Sequence, residues 1–86
     1  MNVGENQIKH LKQNIVHVFS DEDGIFGVMV LLDEEVSKIL KQLGLTNSEI
    51  GHAMRIDKEN HKIVVNLMDF GWWNQEIEQA LGVTEA

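Results

Sequence analysis

The stretch EIGHAMRIDKENHKIVVNLMD, residues 49–69, decides how the chain folds, because two periodicities compete for it. Taken with period two, Ile50, His52, Met54 and Ile56 alternate, DKENH turns the chain, and Ile63, Val65 and Leu67 alternate back as a hairpin would. An earlier stretch supports that reading: NIVHVFSDEDGIFGVMVLLD, residues 14–33, can be laid over it with one inserted residue. Ile15, His17 and Phe19 then match Ile50, His52 and Met54. Asp21, Asp23 and Gly24 fall on Asp57, Glu59 and Asn60, and Val28, Leu31, Leu32 and Asp33 fall on Val64, Leu67, Met68 and Asp69. After two further inserted residues near Gly71, the run Ile39, Leu43, Gly44, Leu45 matches Ile77, Leu81, Gly82, Val83. Self-similarity of this kind organises a whole fold.

Each unit reads as strand, turn, strand, helix. In the first, IVHVF is β-branched and aromatic, DEDG supplies a turn in which Gly24 can take positive φ, and IFGVMVLL returns as a largely apolar, buried strand. Asp33 caps a helix whose Val36, Ile39, Leu40 and Leu43 share one face, with Glu34 and Glu35 in the first turn and Gly44 as its stop. In the second unit the final helix buries Trp73, Ile77, Ala80 and Leu81 and stops at Gly82. Ile8, Leu11 and Ile15 share a helical face and predict a short leading helix. The expected fold is α+β, (α)ββαββα: an antiparallel sheet of about four strands with helices on one side. The repeat units span residues 14–45 and 49–83 of a single domain, residues 1–86.

The run LGLTNSEIGHAMRIDKENHKIVV, residues 43–65, also resembles the helix-turn-helix of the LuxR and MarR regulator families. Thr46 and Glu49 fit a capping box, Ile50, Met54 and Ile56 fit the buried positions, and Asp57 fits the cap of a second helix. That resemblance implies a DNA-binding transcriptional regulator with a recognition helix at residues 57–68 and Lys58, Asn60, His61 and Lys62 facing DNA. Arg55 stands at the turn position where those families usually have glycine, and His61 where they usually bury valine. KENHKIVVNLM is rich in β-branched residues and has no arginine to grip guanine. The sheet is therefore the leading reading and the helix-turn-helix the alternative.

Composition narrows the functions available. A chain of 86 residues buries only about 60–65% of its unfolded surface, too little for a deep water-excluded catalytic pocket within one protomer. The absence of cysteine removes disulfide frameworks, thiolate metal sites and thiol nucleophiles. Residues 1–13 lack the apolar core of a signal peptide, and the longest apolar run, Val28 to Leu32, is too short to cross a bilayer, so the expected location is cytoplasmic. Fourteen acidic against seven basic residues give a net charge of −7, which disfavours phosphate backbones and suits solubility or a basic partner.

Individual residues point the same way. His17 and His52 occupy equivalent repeat positions but bring no further ligands, so a metal is not expected. Asp21, Glu22 and Asp23 before Gly24 read as turn residues, since the spacing of a calcium loop is missing. No phosphate-binding glycine loop or nucleophile elbow is present, and neither an enzyme nor a cofactor is expected. Phe70, Trp72 and Trp73 are the candidate partner-binding residues, because adjacent tryptophans cannot both point inward and exposed tryptophan is enriched at interfaces. The expected function is a small acidic interaction domain of accessory, inhibitor or immunity type, binding a protein partner or itself as a homodimer.

Overall fold

A computed structural model of the chain describes residues 4–59, 61–71 and 73–83. Four helices, α1 (Glu5–Gln13), α2 (Glu34–Gln42), α3 (Asn47–Ala53) and α4 (Gln75–Leu81), accompany four strands, β1 (Ile15–Asp21), β2 (Gly24–Leu31), β3 (Arg55–Asp57) and β4 (Lys62–Asn66). The strands form one antiparallel sheet in the order β1-β2-β4-β3. Two hairpins thus meet along their inner strands, with Met29, Val30 and Leu31 opposite Asn66, Val65 and Val64. This is the α+β architecture expected, with one helix more.

Val28, Val30 and Val65 on one face of the sheet form a single buried cluster with Leu11 of α1, Val36, Ile39 and Leu40 of α2, Ile50 and Ala53 of α3, and Ile77 and Leu81 of α4. All four helices therefore lie against the same face. Side-chain caps fix where they begin. Asp33 accepts a hydrogen bond from the Val36 N–H at 2.7 Å, and Asn74 one from the Ile77 N–H at 2.9 Å. Gly44 and Gly82, at φ +97° and +71°, provide the left-handed residues that end α2 and α4.

Asp33 does more than cap. Its second carboxylate oxygen accepts from Asn14 Nδ2 at 2.9 Å and lies 2.9 Å from His10 Nε2, fastening the end of α1 to the start of α2. A side-chain bond between Gln7 and Gln42 joins the same two helices.

The decisive stretch divides between the two readings. Residues 47–53 form helix α3, so the strand expected through Ile50, His52 and Met54 is corrected, and with it the equivalence of these residues to Ile15, His17 and Phe19 in β1. The reason is local: Glu49 N–H donates to Thr46 Oγ1 at 3.1 Å while Thr46 N–H donates to Glu49 Oε1 at 3.0 Å, closing the capping box. Ile50 and Ala53, one helical turn apart, then enter the core. The alternating residues satisfy period two and only in part, through Ile50 and Met54, the helical period, and the capping box goes with the helix.

The recognition helix at residues 57–68 is likewise corrected. Asp57 ends β3, its Oδ1 accepts from Glu59 N–H at 3.0 Å to begin the turn, and His61 takes φ +55° before β4 starts at Lys62. Ile63, Val64 and Val65 are stiff at χ1 and suit the pleated strand they occupy. A 3-10 turn, Leu67–Asp69, leads on toward α4. Among the described residues no helix is long and apolar enough to cross a membrane.

Candidate functional site

With four helices on one face, the other face of the sheet is left uncovered among the described residues. Cross-strand register assigns its residues: His17 opposes Met29, Phe19 opposes Gly27, Met29 opposes Asn66, and Leu31 opposes Val64, which opposes Arg55. Two irregularities shape this surface. Val16 is an extra residue on β1 between the pairs Ile15/Val30 and His17/Met29, and Phe26 is an extra residue on β2 between Phe19/Gly27 and Ser20/Ile25. Bulges of this kind re-aim side chains and increase local twist.

The face is apolar and partly concave. A groove of about 520 Å³ is lined by residues that include Val16, His17, Phe19, Met29, Arg55 and Val64. Val64 is buried yet stands outside the helix-side cluster, which makes it part of the groove floor. His17 and Phe19 meet edge to face with ring centroids 4.3 Å apart, and Phe19 stacks on Phe26 at 5.9 Å. Phe19 and Phe26 are 41% and 56% exposed.

Gly27 lets the Phe19 ring lie close over the strand, since a Cβ at that position would stand 3.1 Å from Phe19 Cδ2. Asn66 fixes the neighbouring corner, its Oδ1 accepting from both Val28 N–H and Met68 N–H at 3.0 Å. Arg55 is held in place by bonds from Nη1 to the carbonyl oxygens of His52 and Met54, each at 2.9 Å. A second apolar pair, Ile56 opposite Ile63, is exposed at the β3 edge.

The residues singled out from sequence are distributed differently. Phe70 is 6% exposed and belongs to the core. Trp73 is half-buried against that core and its indole N–H donates to Glu78 Oε1 at 3.2 Å. Trp72 lies outside the described residues. Lys58, His61 and Lys62 are exposed around the β3–β4 turn, where Lys58 borders the groove, and Asn60 lies outside the described residues.

His17 and His52 line different hollows. His52 sits on α3 with Nδ1 2.8 Å from the Ser48 carbonyl oxygen, beside Glu49, Arg55 and Asp69. The Glu49 carboxyl there is held below its ordinary pKa by the Thr46 backbone N–H and hydroxyl. Asp21 Oδ1 accepts from Asp23 N–H at 2.8 Å, a turn contact. Among the described residues no group of three or more His, Asp or Glu is placed to hold a metal.

Sequence reasoning missed Phe19, Phe26, Met29 and Val64 as surface features. The alternation His17, Val18, Phe19 carried part of the signal, because it places both rings on one face and Val18 on the other. Compared with known proteins, the chain matches no protein family, no curated sequence and no solved structure.

Proposed function

We propose that this chain is a small, acidic, non-enzymatic protein-interaction domain of the cytoplasm, serving an accessory, inhibitory or immunity-type role through the uncovered face of its sheet. The observation that carries this reading is the stacked, half-exposed pair Phe19 and Phe26 on a face that none of the helices covers. Two phenylalanine side chains of about 200 Å² each, roughly half exposed, leave about 200 Å² of aromatic surface in water. At about 25 cal/mol per Å² its burial is worth about 5 kcal/mol before the costs of association are subtracted. An apolar floor of Met29 and Val64 suits the seating of partner side chains rather than the polarisation of a bond.

Affinity capture with the whole chain tests the proposal when wild type is run beside Phe26→Glu and Glu34→Lys. A protein partner bound by wild type and by the helix-face variant, but lost with Phe26→Glu, is the expected result. Equal recovery with wild type and both variants would refute the assignment to this face.

A further inference from the structure

The two edges of the sheet are unequal. The β3 edge is three residues long and carries Arg55 and Asp57 at its ends, features that discourage strand pairing. The β1 edge is seven residues long, with the sequence IVHVFSD. It has no lysine, arginine or proline, and among the described residues a strand lies on only one side of it. Its only extra residue, Val16, falls near the start, leaving residues 17–21 as an unbulged segment centred on Phe19.

We infer that the partner at this margin of the open face is a second copy of the chain, joined by antiparallel pairing of β1 with its own counterpart about Phe19. The inference rests on the interaction-domain reading and names one partner for it. A two-fold axis at Phe19 sets Phe19 against Phe19 of the second copy, His17 against Asp21, and Val18 against Ser20. The register keeps like faces together, because paired residues have the same parity. It also supplies an aromatic pair flanked by two symmetric imidazole–carboxylate pairs, in which a ring N–H of His17 donates to the Asp21 carboxylate of the other copy. Donor–acceptor complementarity selects self-pairing here: Asp21 to Asp23 form an acceptor-rich tip, and β1 carries the one imidazole whose ring N–H a second copy brings opposite it. The aromatic row of His17, Phe19 and Phe26 then continues across the joint as a single surface on an eight-stranded sheet.

Sedimentation equilibrium of the full chain, from micromolar to millimolar concentration, tests this with His17→Glu and His17→Lys. Both change an exposed side chain and leave the core untouched, and circular dichroism checks that the fold is retained. Wild type is expected to dimerise. His17→Glu, which faces Asp21 of the other copy twice, is expected to weaken the dimer about tenfold, and His17→Lys to leave it equal or tighter.

Phe19→Cys provides a separate check on register, since the wild-type chain has no cysteine. Oxidation is expected to link Phe19→Cys chains in pairs through that position while leaving Lys41→Cys on α2 unlinked. A dimer indifferent to both His17 variants overturns the inference, as does a chain that stays monomeric throughout. Monomeric wild type whose partner capture still depends on Phe26 removes self-pairing alone, whereas monomeric wild type with capture unaffected by Phe26→Glu removes the interaction-face reading as well.

Discussion

Replacing Asp33 with alanine should reveal how much of the molecule hangs on one carboxylate. Loss of the cap on Val36 N–H costs about 1 kcal/mol. The contacts from Asn14 and His10 are partly solvated, the His10 and Asp33 side chains being 30% and 45% exposed, so each counts at the low end, about 0.5 kcal/mol. The sum is about 2 kcal/mol, which for a domain of this size lowers Tm by about 8–16 °C.

Asp33→Asn keeps an oxygen for the cap and should lose about half as much. Acid separates the two contributions. Burial pushes the Asp33 carboxyl up, but the Val36 N–H, the Asn14 amide and His10 outweigh it, so its pKa lies below the ordinary value. As pH falls, the unfolded chain takes up this proton first, near pH of about 3.9. The carboxylate's contribution is therefore complete above that value and is lost as pH falls through the folded pKa. Thermal melts followed by circular dichroism should show a gap between wild type and Asp33→Asn at about pH 7 that closes only as the pH falls below the ordinary carboxyl range, through the lowered folded pKa. An Asp33→Ala melt within about 3 °C of wild type, well under the drop expected for such a loss, would refute the reasoning. So would a gap that persists in acid.

Two further substitutions probe other joints. His61 holds φ +55°, so His61→Gly should leave stability unchanged or raise it by up to about 1 kcal/mol, while His61→Val should lower it by about 1–2 kcal/mol; paired thermal melts decide the order. Leu40 is fully buried where α2 meets the sheet, and Leu40→Ala should cost about 3 kcal/mol in urea titration, a loss under about 1 kcal/mol arguing against its place in the core.

Where sequence and structure agree, the signal was local and redundant. Helix α2 carried a cap, an apolar face, charges matched to its dipole and a glycine stop, so competing errors had nowhere to enter. The β1–β2 hairpin carried β-branched runs around an Asp-rich turn. Residues 47–56 failed differently: their apolar positions satisfy period two and, in part, period 3.6, and the choice fell to two hydrogen bonds between Thr46 and Glu49. The alternative reading had that capping box and lost the second helix to a hairpin, so each reading was correct over part of the stretch.

The candidate surface was harder to read, for a physical reason. Alternation in β1 assigns Phe19 and Val18 to opposite faces but does not say which face the helices will cover. That depends on α1, α2, α3 and α4 all packing against Val28, Val30 and Val65, a property of the assembled core. Phe70 was misleading for the converse reason. Its neighbours suggest a surface corner, but the Asn66 side chain turns the chain after β4 and carries Phe70 inward.

The inequality of the sheet edges sets a limit on growth. A sheet with two long bare edges is a unit of a filament, since each added copy exposes a fresh edge for the next. Here the longer edge stands on one side only, and an isologous contact through it consumes that edge in both copies. What such a dimer would leave outward is a pair of three-residue strands with a charged residue at either end of each, too short to template further addition. A chain with an exposed aromatic edge strand, paired in this way, can thus associate without running on into fibres.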